Sequence, residues 1–569
     1  MLKKGLCLSV CIAMLAGALT GCGQGAAQGP AGSSSSAAPA SSAASSAAPS
    51  AAASEGEPAS SGPEELTLPI VSEPLTLTCF MELDAKVSAS KKSVAEVASY
   101  QEIMEKTGIT IQFQHPPAGQ EKEQFNLMLA SNDLTDIIYY NWLTVPGGPA
   151  KAILDKQIIP LNDVVAQYAP NLSAMFEEKA TARKQSVLDD GTLYMFPMIR
   201  VRTGTEEWFR LLGPIYRKDW LDKLNLEAPT TIDEMYTVLK AFKEQDPNGN
   251  GQADEIPFTS QKAGGEAAYL SAFAPAFGIV NGFYNDNGTV KYGPLEPAYK
   301  DYVETMNKWY AEGLIDPEYT INDAKAMNQK ILSNQAGCYF GLIAANLGTY
   351  LDAMNGQDGF DLTAGPWLTG PAGKPYTNAV DYIKIVVGTG KAISTSNKHV
   401  KETVKFLDYF YSEEGILTSN FGREGESYTM QDGKAIFTDA VLKNTQGLTT
   451  AQALSQYALS TANDAMVKTS EYFEQVSLLY PQQAATQEIW ASADTSLLLP
   501  PVSYTTEEST EYAQIMNEIQ TYLDENLIKL IMGVTPMSEY DNFVNGVKGL
   551  GIDRALAISQ AAYDRYMQR

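Results

Sequence analysis

The sequence predicts an α/β protein with more than one lobe, and three observations carry that prediction. Short strand-like runs alternate with amphipathic helical runs, the pattern of a parallel-type sheet covered by helices. After a low-complexity leader about 500 residues remain, enough for more than one hydrophobic core. The C-terminal third is largely helical by composition.

The chain opens with MLKKGLCLSVCIAMLAGALTGCG. Two lysines precede an apolar run of about 15 residues that ends in small residues, the layout of a secretory signal. The run is too short to span a bilayer as a permanent helix. Leu19-Thr-Gly-Cys22 resembles a bacterial lipobox, in which the cysteine is lipidated and becomes the new N-terminus. Residues 1–21 are then a lipoprotein signal, with Cys22 as the lipid-bearing residue. The alternative is an ordinary signal peptide that happens to contain a cysteine. The lipid reading places the chain on the extracytoplasmic face of the cell membrane.

Residues 22–65 are dominated by Ala, Ser, Gly and Pro. Such a stretch offers too little to bury to offset the entropy of ordering, so a flexible tether is expected. At about 5–6 Å × √n, some 40 residues reach roughly 35 Å.

The globular part begins with a strand at Leu75-Thr-Leu-Thr-Cys-Phe80. A helical pattern follows through Val94, Val97, Tyr100 and Met104 and stops at Gly108. Ile109-Thr-Ile-Gln-Phe113 alternates as a strand. Phe125, Met128 and Leu129 mark a helix, and Asp136-Ile-Ile-Tyr-Tyr140 a buried strand. Ligands on such sheets bind beyond the strand C-terminal ends, which singles out Glu82, Asn141 and Trp142. A second α/β region begins near Ile199. Ile215-Tyr-Arg217 reads as a strand and residues 218–224 as a short helix. Thr231 and Glu234 stand at capping-box spacing ahead of Met235, Val238, Leu239 and Phe242 on one helix face. Val400, Val404, Leu407 and Tyr411 repeat that pattern.

The chain carries 41 Lys and Arg against 67 Asp and Glu, a formal net charge of −26. That balance argues against a nucleic-acid partner and against electrostatic docking on anionic lipid. Of the five cysteines, only Cys79 and Cys338 lie beyond the leader, each in an apolar segment. Two buried free thiols or one disulfide are both open. With two histidines and no cysteine cluster, a zinc or transition-metal site is not expected.

Asp246-Pro-Asn-Gly-Asn-Gly-Gln-Ala-Asp-Glu255 carries the sharpest chemistry. Asp246, Asn248 and Asn250 take positions 1, 3 and 5 of an EF-hand-like loop, with Gly251 at 6, Gln252 offering its carbonyl, and Asp254 and Glu255 completing the set. Alternate oxygen ligands let one tight loop wrap a hard cation, Ca2+ above all. Position 12 is Pro257 where an EF-hand needs a bidentate Glu, so the loop is a variant. The alternative is a polar Asn-Gly turn without metal. Aromatics suited to stacking on sugar C–H faces are the second signal. Trp142 follows a strand end, Trp208 lies near Arg202 and Arg210, and Trp367 and Tyr382 fall in a segment returning toward the first lobe. Any one of them is more often core than ligand platform; Trp220 and Trp309 are assigned to packing. The acidic pairs Asp189-Asp190 and Glu206-Glu207 read as solvated charge, because glycosidase carboxyls must face each other across a sugar.

Several motifs together resemble the sugar-binding proteins of bacterial ABC importers, of the extracellular solute-binding family 1 type. They are Asp190-Gly-Thr-Leu-Tyr-Met-Phe-Pro197, Ile215-Tyr-Arg-Lys-Asp-Trp-Leu-Asp-Lys-Leu224 with Pro229-Thr-Thr-Ile-Asp-Glu234, Trp309-Tyr-Ala-Glu-Gly-Leu-Ile-Asp-Pro317, Ser333-Asn-Gln-Ala-Gly-Cys338 and Gly422-Arg-Glu-Gly-Glu-Ser-Tyr428. They occur in the family's order across most of the chain. The subgroup that matches best resembles the larger lipoprotein binders of oligosaccharides, alginate-oligosaccharide binders among them. The resemblance implies a two-lobed periplasmic-binding-protein-like fold of type II, with discontinuous lobes joined by hinge crossovers. The N-terminal lobe would comprise residues 66–197 and 361–393, the C-terminal lobe 198–360 and 394–569. Crossings would fall near residues 194–199, 360–362 and 391–394. It also implies an oligosaccharide ligand, an ABC permease partner, a monomer, a structural calcium ion and no catalysis. The ligand contacts expected are Glu82, Asn141, Trp142, Trp208, Arg210, Trp367, Tyr382 and Arg423. A secreted carbohydrate-active enzyme and a peptide-binding or sensory lipoprotein are the competing readings.

Overall fold

The structure is a computed structural model that describes residues 63–205, 207–262, 270–379 and 384–569. The signal, Cys22, most of the tether and Tyr382 lie outside the described residues. In chain order the strands are β1 (Leu75–Phe80), β2 (Ile109–Gln114), β3 (Ile137–Tyr140), β4 (Phe196–Val201), β5 (Leu212–Arg217), β6 (Ile256–Phe258) and β7 (Phe283–Asp286). They continue with β8 (Thr289–Tyr292), β9 (Ala336–Leu342), β10 (Leu362–Ala364), β11 (Val386–Ile393), β12 (Tyr428–Gln431), β13 (Lys434–Phe437) and β14 (Val467–Thr469).

Two sheets, each with its own hydrophobic core, make the two lobes. The first has the order β14-β4-β11-β3-β1-β2. All its strands run parallel except β11, which is antiparallel to β3 and β4. Register is set by apolar pairs such as Leu75 opposite Ile109 and Cys79 opposite Ile137. The helix Ala98–Thr107 covers this sheet with Tyr100 and Ile103 buried, and Gly108 at φ 75° ends it, a conformation that glycine adopts without steric cost. The second sheet has the order β10-β5-β9-β6, with β5 antiparallel to its neighbours β10 and β9. Against it packs the helix Ile232–Glu244, whose buried face includes Met235, Val238, Leu239 and Phe242. Each such side chain contributes about 1.5–3 kcal/mol by leaving water. The Thr231 hydroxyl accepts from the Glu234 amide at 3.1 Å, while Glu234 accepts from Thr230 rather than completing a reciprocal box.

The lobes are more interleaved than the expected boundaries. Strand β10 pairs with β5, Leu362 opposite Arg217, so the segment after 360 begins in the second lobe, and the chain regains the first sheet only at β11. Leaving β11, it stays on the first core: Val404, Phe406, Leu407 and Phe410 of the 400–411 segment are buried there. It then returns as edge strand β14 beside β4. The crossings include 202–211, the stretch between 365 and 385 and the chain after 469, and between 411 and 459 Phe421, Tyr428, Phe437 and Leu454 join the second core. A three-residue edge strand takes its place from its partner and leaves little periodic signal of its own, which is why β10 and β14 escape a reading by pattern.

Two polar contacts tie distant segments together. Lys391 on β11 pairs with Asp464 at 2.5 Å, both fully buried, and donates to the Tyr100 hydroxyl at 3.0 Å. Asp189, before β4, accepts from Arg565 at 2.5 Å and also from Arg569 at the chain end. Burial works against the Asp189 charge, but the two guanidiniums hold its carboxyl below the usual range. Arg565 lies on the final helix, Ile552–Gln568, whose Ile552 and Ala555 belong to the second core. Cys79 and Cys338 are both buried free thiols, on β1 and β9 respectively. No helix among the described residues is long and apolar enough to cross a membrane.

Candidate functional site

In the first sheet the C-terminal ends of the parallel strands share one edge with the start of β11. In the second, the ends of β6, β9 and β10 share an edge with the start of β5. The 202–211 crossing joins the end of β4 to the start of β5, so both functional edges flank one cleft. A cavity of about 400 Å³ lies there, with walls from both lobes. Asn141, Thr144, Gln185 and Gly388 line one side; Val280, Phe283, Asn378 and residues 497–502 line the other. A larger open groove of about 1450 Å³ runs instead beside the outer edge strand β14, past Glu413, Glu414, Glu471 and Glu474. It does not reach the ends of β1 and β3, where ligands of such sheets bind.

Asn141 stands where the sequence predicts, one residue beyond β3. Its Oδ1 is buried and accepts no hydrogen bond. That oxygen is 3.8 Å from where a Cβ on Gly388 would stand, and Gly388 itself adopts φ +80°. Thr144 Oγ donates to the Asn141 carbonyl at 2.8 Å and fixes the turn. Glu82 is exposed just past β1; partial desolvation first, then Glu121 and Asp84, push its carboxyl up.

Three of the four aromatic candidates are buried. Trp142 is fully buried, because the short turn Trp142–Thr144 folds its indole back onto the edge of Phe125, 5.5 Å away. Trp208 is buried at the crossover, packed edge-on against Phe209 and Phe473 with Arg200 over its ring at 6.0 Å. Trp367 is buried against Phe340. Arg210 is also buried. It bonds Glu207 at 3.0 Å, and its backbone exchanges hydrogen bonds with the Gln487 side chain. Arg423 lies near Glu102 and Glu105, each at 3.5 Å, away from the cavity lining. These side chains build the lobes and their hinge rather than line the cavity.

The hinge concentrates cations that are already engaged. Arg202 lies 4.5 Å over the Phe209 ring. Lys468 on β14 is buried, and its ammonium donates to the Ala462 carbonyl at 2.6 Å. Burial, reinforced by Arg200 and Lys86, pushes it down to about 7. Sequence reasoning missed the wall at residues 497–502, Leu-Leu-Leu-Pro-Pro-Val. Its signal was present: an apolar run ending in two prolines can extend neither a helix nor a strand ladder.

The 246–255 loop lies at the N-terminal end of β6, away from the cleft edge. Asp246 takes φ +47°, and its Oδ2 accepts from the Gly251 amide at 3.1 Å. The Asn248 and Asn250 amides both donate to Asp254 Oδ1, at 3.0 and 2.9 Å. Those bonds hold Asp254 below its ordinary value, whereas burial, with Asp246 and Asp254 nearby, pushes Glu255 up. Asp246 Oδ1 and Glu255 Oε1 are buried without a partner. Among the described residues no three His, Cys, Asp or Glu side chains converge closely enough to hold an ion alone. A cation here depends on the asparagine oxygens and backbone as well, and the two orphaned carboxylate oxygens fit that requirement.

Comparison with known proteins agrees with this architecture. The chain is 27% identical over 503 residues to the fructooligosaccharide ABC transporter substrate-binding protein FusA of Streptococcus pneumoniae serotype 4, covering 85% of this chain and 90% of the relative. It is 29% identical over 265 residues to the lipoprotein LipO of Bacillus subtilis, covering 46% of this chain and 51% of that protein. Its fold matches the crystal structure of the alginate-binding protein AlgQ2 without calcium ion at a TM-score of 0.69 and 28% identity, over 87% of this chain and 99% of the other. Residues 91–416, more than half of the chain, match the family described as bacterial extracellular solute-binding protein. Two lobes flanking one lined cavity are the architecture of a binding protein, and with that match over more than half of its length the chain belongs to the bacterial extracellular solute-binding proteins.

Proposed function

We propose that the protein is the solute-capturing subunit of an ABC importer, holding an oligosaccharide between its lobes and presenting it to a membrane permease. The observation that carries this reading is the cavity of about 400 Å³ with walls from both lobes. Support also comes from similarity, over most of the chain, to proteins that bind fructooligosaccharide and alginate. A solute touching both walls binds the closed arrangement more tightly than the open one, and closure follows by that difference in affinity. No bond is made or broken. Asn141 and Glu82 are the sequence-predicted residues kept as ligand contacts.

Calcium in the 246–255 loop is part of the same reading, supported by the two orphaned oxygens. Asp246, Asn248, Asn250, the Gln252 carbonyl, Asp254 and Glu255 would hold it. An ion bound there would offset the charge of the loop's three carboxylates and stiffen the approach to β6. Lipid on Cys22 would tether a monomer near its permease, the Ala/Ser-rich stretch giving it reach.

A thermal-shift screen against oligosaccharides and peptides tests the proposal. A concentration-dependent rise in melting temperature with a sugar supports it; a rise with peptides alone overturns it.

A further inference from the structure

We infer that the captured solute is an uncharged oligosaccharide, recognised through its hydroxyls and one apolar face rather than through carboxylates. This rests on the oligosaccharide reading above and narrows it to a chemical class. The first observation is the buried Asn141 Oδ1, an acceptor that receives no hydrogen bond. It needs a donor. A sugar hydroxyl supplies one; uronates carry hydroxyls as well, so this acceptor points to a hydroxyl-rich ligand, and the opposite wall and the surrounding charge are what disfavour a carboxylate.

The opposite wall is the second observation. Val280, Phe283 and the Leu497-Leu-Leu-Pro-Pro-Val502 run present hydrocarbon to the same space. Hydrocarbon packs on the C–H face of a pyranose or furanose ring and cannot solvate an anion, so a carboxylate placed there is costly unless a cation meets it.

Charge in and around the cavity is the third. Among the described residues lining the cavity the cation is Lys384, which already has a partner of its own. The cations of the neighbouring hinge are committed as well. Arg200 and Arg202 lie over the Trp208 and Phe209 rings, Arg210 holds Glu207, and Lys468 bonds the Ala462 carbonyl. At the end of β1, Lys86 pairs with Asp84 at 3.3 Å, and Glu82 adds a further carboxylate. The internal stretches outside the described residues carry Glu206, Glu266 and Asp381 and no Lys, Arg or His. They therefore bring no additional positive charge. A uronate carboxylate would meet hydrocarbon in the cavity and the negative charge of Glu82 and Asp84 beside it.

Isothermal titration calorimetry on the full mature chain decides the matter. It compares neutral oligosaccharides (fructan, xylan, mannan and N-acetylated series) with oligouronates of the same lengths, at low and high salt. The expected result is at least one neutral ligand bound at least about 100-fold more tightly than any uronate, with little salt dependence. Asn141→Ala should weaken that ligand about tenfold, while Asn141→Asp, which keeps an acceptor, should retain more of the affinity. Tight, salt-sensitive uronate binding would overturn the inference and leave the oligosaccharide reading standing. Binding of neither series would overturn that reading, and the inference with it. Unchanged affinity in Asn141→Ala would remove the acceptor from the argument and overturn the proposed mode of recognition.

Discussion

Lys391 and Asp464 meet at 2.5 Å in the first lobe with neither side chain exposed to solvent. Burial alone would strip the lysine of its proton, but Asp464 keeps it charged and well above its ordinary value. Removing one partner strands the other charge. Asp464→Asn should therefore cost about 3–5 kcal/mol of folding stability, read from urea melts. Replacing both with apolar residues, Lys391→Met with Asp464→Leu, should cost less than the sum of the single changes. Additive losses would show that the pair is not coupled.

Trp142 should behave as a core residue. Its indole is completely buried against Phe125, so Trp142→Ala should lose about 3–5 kcal/mol of stability. Loss of sugar affinity with an unmoved urea midpoint would return Trp142 to the ligand.

The calcium loop gives a prediction independent of any sugar. Calcium binding the folded state alone at about 100 times its Kd adds about 2.7 kcal/mol. Wild type should melt higher in calcium than in chelator, and Asp246→Ala should abolish the difference. A wild-type melting curve unmoved by chelator, with no metal by elemental analysis, would leave the loop as a turn.

Asp408 makes stability depend on pH. It is fully buried and accepts from the Leu172 amide at 2.8 Å and the Asn171 amide at 3.2 Å, but burial outweighs these bonds and pushes it up to about 6. A raised carboxyl contributes its stability below the unfolded-state value and loses it as pH rises through the folded one. The loss should run from about pH 4 to just above pH 6 and reach at most about 3 kcal/mol. Asp408→Asn lacks this titration, so the stability difference between variant and wild type should change across that window. A constant difference would exclude Asp408 as its source.

At the N-terminus, Cys22→Ser should abolish lipid attachment and release the protein to the medium or leave uncleaved precursor. Intact-mass analysis reads this directly. A mature wild-type chain without added acyl mass would contradict the anchor.

Local patterns were legible and partner-dependent ones were not. Strands β1, β2 and β3 and the Thr231-capped helix follow from alternation, helical spacing and capping within a few residues. The lobe on which the 400–411 segment packs depends on which face meets it, and its apolar stripe suits either core. The place of Asn141 beside the cavity was legible because it follows from topology, one step past a strand end. The burial of the tryptophans was not legible because indole serves core and sugar platform alike, and for Trp142 only the turn at 142–144 decides which way the ring points. The wall at residues 497–502 lay in a third of the chain read as helical, where two prolines were the sole local sign of a break.

The place of β14 at the edge of the first sheet has a consequence during synthesis. That sheet begins with β1 but is completed by a strand made hundreds of residues later, so the first lobe cannot finish folding until most of the chain has left the ribosome. Asp464 emerges equally late, and until it does Lys391 has no counter-charge in its apolar surroundings. Pairings so distant in sequence form slowly. A polypeptide that stops short of residue 467 presents β4 as an open edge, a template for wrong pairing. Prematurely terminated chains should therefore aggregate rather than accumulate as a folded half-protein.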